Sequence, residues 1–441
     1  MTDTQRRLLL SVYLAALATA AAGAWLASVS PLIPWVVLAG LALAYLVVAR
    51  PDIFVLVLIA ILPWQGALKF PTEQLTIVKL VGGLLFVSVA LLTLVKDRRL
   101  RLTPVIGWAV LLCTAVTLSL IANGVSNATV TETLRFWTLT LFVFLIVQLL
   151  DSREAFLRAI RVLAVSAIVG AVWATVQFLD GSVARASGPI SDPNDFAYFL
   201  AAVLPFVAYL FMLEPRRRLL WGAGLACLAL GIVGSSSRGA FVALGVTALW
   251  AILTGRLAAR GVVGALAMVA LLALLALGVS SVRTSQNLQV RENGLSTSVS
   301  LRKVYWSAAL RITADHPLFG VGPGRFEAVS PDYVRNTPKL EQEVAVNNSY
   351  LTMLSEYGVL ATLVFLGFLA ATWRQILLAT RPRGPGRGPR APETWLRSAL
   401  LASLLVALVG GIFFSAELST PFWLIAALAS ALTYAPRGAQ S

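Results

Sequence analysis

What most constrains this chain is an almost unbroken succession of uncharged apolar runs, each near the length of a bilayer-crossing helix. A helix needs roughly 20 apolar residues to cross a hydrocarbon core, because each residue advances it by 1.5 Å. About fourteen such runs are expected, at 8–28, 32–49, 53–68, 75–95, 104–122, 132–150, 156–178, 194–213, 218–236, 239–254, 261–281, 347–373, 395–415 and 420–435. Runs 53–68 and 239–254 are among the short ones, and Pro51, Gly239 and Pro421 mark helix ends or breaks. Only 12% of residues are charged, about half the share in a soluble domain. The expected fold is therefore all-α, a polytopic helical membrane protein.

A net charge of +15 would suggest a nucleic-acid partner in a soluble protein. Here it has a simpler origin, since lysine and arginine hold short loops on the cytoplasmic side. With the N-terminus placed inside, most of the 35 lysines and arginines fall on that side. The short loops on the other side keep Lys69, Arg185 and Arg238. Both termini are expected in the cytoplasm, and no nucleic-acid partner is expected. Arg6 and Arg7 precede the first apolar run with no small-residue cleavage site after it, the pattern of a retained signal anchor. Cys113 and Cys227 both lie in apolar runs, and His316 is the single histidine, so neither a disulfide framework nor a metal site is expected.

Two segments interrupt the apolar pattern. Residues 380–392, a Pro/Gly/Arg run, read as a cytoplasmic linker attracted to anionic lipid. Residues 282–346 mix charges and are expected to form an ordered extracytoplasmic loop subdomain. It includes a helix over 300–313 with Leu301, Val304, Tyr305, Ala308 and Ile312 on one face. This divides the chain into an N-terminal bundle (1–281), the loop subdomain (282–346) and a C-terminal bundle (347–441).

A charge inside an apolar span costs several kcal/mol unless it is solvated or paired, so such charges are functional candidates. Lys79 and Arg135 lie within spans near the outer boundary. Arg185 sits in the short loop RASGPISDPND, and Arg238 lies between two spans in GSSSRGA. Lys79 and Arg135 could snorkel to headgroups, and Arg135 could pair with Glu132. Arginine suits bidentate recognition of phosphate oxygens, and Ser235, Ser236, Ser237 and Gly239 offer donors and close backbone approach around Arg238. An anionic ligand presented from the membrane, such as a lipid-linked diphosphate, fits this set.

Three blocks resemble the O-antigen ligase/polymerase superfamily, the WaaL and Wzy proteins and their oligosaccharyltransferase relatives. The first is RASGPISDPNDFA at 185–197, and the second is Ser237-Arg238-Gly239-Ala240. The third begins at Arg302, passes through Trp306 and DHPLFGVGPGRF at 315–326, and continues to NNSYL at 347–351 and Glu356-Tyr357-Gly358. The resemblance spans roughly residues 185–375. It implies a metal-independent glycosyltransferase without cofactors, acting at the outer face of the bacterial plasma membrane. The implied partners are an undecaprenyl-diphosphate-linked oligosaccharide, an acceptor glycan, membrane lipid and a chain-length regulator. By position, Arg185, Arg238 and Arg302 would bind the diphosphate and stabilise the charge on the leaving group, with Lys79 and Arg135 as further binding candidates.

The chain departs from the ligase pattern at one informative place. Where ligases have a histidine proposed to act on the acceptor hydroxyl, this sequence has Asn347. Asparagine can orient a hydroxyl but cannot take its proton. The departure favours a polymerase or a divergent transferase over a standard ligase. Glu356, about ten residues into its span, and Asp192 are the alternatives for a general base, although Glu356 could instead pair with an in-span cation such as Lys79. His316 reads as part of a helix exit and turn. A transporter is the competing class, but charges gathered at one face and an ordered loop argue against it.

Overall fold

A computed structural model describes residues 42, 45–47, 49–64, 77–95, 99–190, 192–255, 288–334, 346–380, 392–415 and 419–434. Among these residues every regular element is helical. In chain order they are α1 (Pro51–Ala60), α2 (Ile77–Val95), α3 (Pro104–Asn123), α4 (Asn127–Leu149), α5 (Arg153–Asp180), α6 (Pro193–Leu213) and α7 (Arg218–Ser235). They continue with α8 (Arg238–Leu253), α9 (Leu288–Asp315), α10 (Phe326–Val329), α11 (Ser349–Ala379), α12 (Pro392–Gly410) and α13 (Thr420–Ala431). Among the described residues seven helices are long and apolar enough to cross a membrane, and α1, α2, α8 and α13 are shorter apolar helices. The chain is an all-α polytopic membrane protein. The expected spans 8–28 and 261–281, nearly all of 32–49, and the linker at 381–391 lie outside the described residues.

Helix boundaries follow local chemistry. Thr103 caps α3 ahead of Pro104, Ser126 and Thr129 form a capping box on α4, Ser152 caps α5, and Asn348 caps α11. Each satisfies backbone N–H groups that a helix start leaves without an intrahelical partner. The expected span 53–68 differs most. Its helix stops at Ala60 and gives way to a single 3-10 turn at Leu62–Trp64. Pro63 lies in that turn and cannot extend the α-helical hydrogen-bond ladder. The helix expected at 300–313 is longer, running over 288–315, with Ala308 and Ile312 buried as the pattern requires.

The helices pack closely where one of them is small. A Cβ at Gly410 would strike the Tyr198 ring, and one at Gly367 would strike Trp108. Small residues at helix contacts are expected where lipid supplies no hydrophobic drive and van der Waals contact must hold the bundle. The α6 helix lies at the centre, against α5, α7 and α12, and α11 packs on α3 and α13.

Hydrogen bonds sort the helix ends into two faces. On one, Ala186 donates to the Gly234 carbonyl at 3.0 Å, and Ser349 donates to Gly411 and Phe414 at 2.7 and 3.0 Å. The end of α3 joins the same face, where Arg325 donates to the Asn123 carbonyl at 2.7 Å. On the opposite face Arg161 meets Glu214 at 2.7 Å, and Arg101 lies over the Tyr434 ring. Arg153, Arg158, Arg216, Arg217 and Arg218 also start or flank helices on that opposite face.

The 316–326 loop descends into the bundle and docks on a break in α11. At Gly358 the backbone has φ 79° and ψ 178°, which interrupts the helix. The groups freed there are taken by the loop: Val359 donates to Pro317, while Ser355 and Glu356 carbonyls accept from Val321 and Gly322. Ser119 of α3 closes the arrangement by donating to the Phe319 carbonyl at 2.6 Å. Above it a small core of Ala308, Ala309, Ile312, Val321, Phe326 and Val346 fixes α9 to the start of α11.

Candidate active site

The loop between α5 and α6 is tied to the α7–α8 break by one side chain. Arg185 donates from Nε to the Ser235 carbonyl and from Nη2 to Asn194 Oδ1, each at 2.7 Å. Asn194 is placed to receive it because Asp192 caps α6, accepting from the Asn194 and Asp195 amides at 2.7 and 2.9 Å. Arg185 is therefore a brace as well as a charge.

The break itself is sharp. Ser236 takes a left-handed conformation, φ 53°, and α8 begins two residues later with Arg238 in its first turn. Arg238 is exposed, and among the described residues it donates no hydrogen bond and enters no ion pair. Its neighbour Ser237 is buried, 1% exposed, with no partner for Oγ among the described residues. A helix N-terminus with an unused, exposed guanidinium is suited to an anion. Gly239 has a different role from the close ligand approach expected of it. A Cβ there would stand 2.7 Å from Phe413 and Phe414, so the glycine lets α8 pack on the 411–414 turn.

That turn brings the remaining blocks to the same corner. Ser349 binds the turn on one side and Gly239 touches it on the other, so the segments carrying Asn347 and Arg238 both abut it. Asn347 itself is left-handed, φ 51°, a conformation in which asparagine is enriched. Trp306 donates to the Val346 carbonyl at 3.0 Å, which seats α9 beside Asn347. Arg302 lies one turn before Trp306. Burial and then the Arg238 cation push the Arg302 guanidinium below its ordinary range, while Asp192 acts in the other direction. Arg185, Arg238, Arg302, Asp192 and Asn347 thus meet at one face. Cations outnumber carboxylates there, and an anion would relieve their repulsion.

The other sequence candidates are placed elsewhere. Arg135 forms an ion pair with Glu132 at 2.7 Å. Lys79 belongs to α2, which packs on α1 and α4. Glu356 is 7% exposed, and both carboxylate oxygens accept backbone N–H groups, from Gly324 at 2.8 Å and Phe326 at 3.1 Å. These amides hold the carboxylate where pairing with Lys79 was one expectation. His316 is exposed, and its backbone closes the end of α9. Sequence reasoning missed the Asn194 clamp on Arg185 and the loop's docking at Gly358. The closely spaced Gly320, Gly322 and Gly324, all with positive φ, were the legible signal for the latter.

Fold and site together define a polytopic membrane protein with a cluster of cations at helix ends on one face. Residues 223–366 match the family described as O-antigen ligase, and this places the segment carrying Arg238, Arg302, Asn347 and Glu356 in the O-antigen ligase/polymerase superfamily. The match supports a ligase or polymerase role in glycan assembly, with lipid-linked glycans as the class of substrate. No curated protein matches the chain.

Proposed function

We propose that the chain is a polysaccharide polymerase, joining glycan carried on undecaprenyl diphosphate to an acceptor sugar at the outer face of the bacterial plasma membrane. One observation supports this most: three separate sequence blocks place Arg185, Arg238 and Arg302 around the α8 N-terminus. In the reaction the acceptor hydroxyl oxygen forms a bond to the anomeric carbon. The bond from that carbon to the diphosphate oxygen breaks, its electron pair leaves on undecaprenyl diphosphate, and the hydroxyl proton is released. Negative charge grows on the leaving group, and Arg238 and Arg302 stabilise it while Arg185 holds the loop and adds its field. Arginines rather than a metal carry this role, so turnover is expected to survive EDTA.

The match to the O-antigen ligase family favours a second reading, a ligase that moves a finished glycan to lipid A core or protein. Incubation with an undecaprenyl-diphosphate-linked oligosaccharide separates the two. A ladder of products supports the polymerase, a single transfer supports the ligase, and unconsumed donor overturns both.

Asn347 bears on the acceptor side. Because asparagine cannot take a proton, Asn347→Ala is expected to reduce transfer by less than about 10-fold, the share of a neutral hydrogen bond. Asn347→His should be tolerated, since histidine also accepts the left-handed backbone. Loss as large as that of Arg238→Ala would make Asn347 indispensable to the chemistry.

The orientation follows from the arginines gathered at the face opposite the site. Cysteines placed at Asp332 and Gly384, with Cys113 and Cys227 replaced by serine, report it. An impermeant maleimide applied to intact cells should label the first and not the second. Labelling of both or neither from outside would reject the assignment.

A further inference from the structure

We propose that Glu356 is a positioning residue, whose carboxylate holds the 316–326 loop so that Phe326 fixes the turn of α9 carrying Arg302. The inference rests on the diphosphate reading only in the role it gives Arg302.

Each oxygen of the carboxylate is held by a loop amide: Oε2 accepts from Gly324 and Oε1 from Phe326. The stretch from Val359 to Ala379, about 30 Å long at 1.5 Å per residue, is by itself long enough to cross a hydrocarbon core. The α11 turns before Gly358 are therefore free to serve as a platform for the loop. Glu356 uses both its backbone and its side chain for this. Its carbonyl accepts from Gly322 at 2.9 Å and its carboxylate clamps the next turn of the loop. On the other side of the loop, Gly324 faces Glu132, with a Cβ there falling 2.7 Å from Glu132 Cγ. The charge of Glu132 is matched by Arg135, whereas that of Glu356 is met by amides.

From this clamp a short relay reaches the site. Phe326, whose amide Glu356 holds, packs edge-on against Tyr305 with ring centroids 6.3 Å apart. Tyr305 is three residues beyond Arg302, on the adjoining turn of α9 and next to Trp306, whose indole binds Val346. Moving the loop therefore moves the surface on which the Arg302 turn rests. Glutamine in place of Glu356 would keep one acceptor and set its own N–H groups against an amide N–H, so the clamp would open by half. Aspartate is one methylene shorter and would reach one amide rather than both.

The test uses the full chain in detergent and farnesyl diphosphate as a soluble isoprenyl diphosphate probe. In Glu356→Gln, amide hydrogen exchange should rise over 302–312 and 320–326, and unchanged exchange over 302–312 would overturn the proposal. Probe affinity should fall on the order of 10-fold in both Glu356→Gln and Arg302→Ala, as for a lost charge-assisted hydrogen bond. The double variant should bind no more weakly than Arg302→Ala alone, because the clamp acts through that arginine. Losses that multiply would overturn the relay. Tyr305→Leu cuts it downstream with the carboxylate and its amides intact, and should show the same dependence on Arg302 even if Glu356→Gln folds poorly. Failure of the wild type to bind the probe would remove the diphosphate reading, while the exchange comparison would still decide whether Glu356 positions α9.

Discussion

Arg238→Lys is expected to transfer glycan no better than about one hundredth as fast as the wild type, and Arg238→Ala no better than the lysine variant. The size follows from removing a preorganised charge-assisted contact to a leaving group, on the order of 3–4 kcal/mol or 10²–10³ in rate, by analogy with oxyanion-hole donors. Lysine keeps the charge but loses the planar fork that addresses two phosphate oxygens at once. The structure makes this substitution unusually interpretable. Arg238 is exposed and has no hydrogen-bond or ion-pair partner among the described residues, so its removal leaves no buried group unpaired and folding should be unaffected. Transfer assays at matched folded amounts, with melting temperatures alongside, check both halves. Near-wild-type turnover by the lysine variant would reject bidentate recognition, and near-wild-type turnover by the alanine variant would remove Arg238 from the site.

The bundle was largely legible because its signal is repetitive and physical. Apolar runs of bilayer length must be helices, since only helices satisfy their own backbone in lipid. The ends of α3 to α8 therefore fall within a few residues of expectation. Arg185 and Arg238 stood out as cations at the boundary that the topology signal leaves poor in them, and Arg302 only through the family resemblance. What the sequence hid was partnership across long separations. Nothing local says that Arg185 gives two of its donors to Ser235 and Asn194, whereas the pairing of Arg135 with Glu132, one turn away, was open to expectation. Glu356 illustrates the limit best. Its position in an apolar run suggests a buried charge awaiting a cation or a substrate. Its actual partners are the amides of Gly324 and Phe326, which are supplied by a loop whose course depends on a helix break. Backbone donors have no residue type, so no pattern of side chains announces them.

Gly358→Ala is expected to destabilise the protein by more than about 3 kcal/mol, the largest stability effect of any single methyl group in the loop region. Two costs combine. The φ 79°, ψ 178° conformation belongs to a region populated almost only by glycine and costs of order 1–3 kcal/mol for other residues. The added Cβ would also enter the Leu318 carbonyl, which is backbone and cannot swing aside. Relief requires either that α11 become regular at this point or that the loop withdraw. Both outcomes undo the bonds from Val359 to Pro317, from Val321 to Ser355 and from Gly322 to Glu356. In a site shielded from water such groups are not readily re-satisfied, and each orphaned one costs about 1–3 kcal/mol. Gly245 provides the internal comparison, since it is helical and a Cβ there meets nothing within 4 Å. Gly245→Ala should be neutral or stabilising by up to about 1 kcal/mol, the helix-propensity difference. Thermal unfolding of the two variants in the same detergent measures the contrast. Equal melting temperatures would mean that the 316–326 loop contributes little to the folded state, and that the break in α11 does not depend on it.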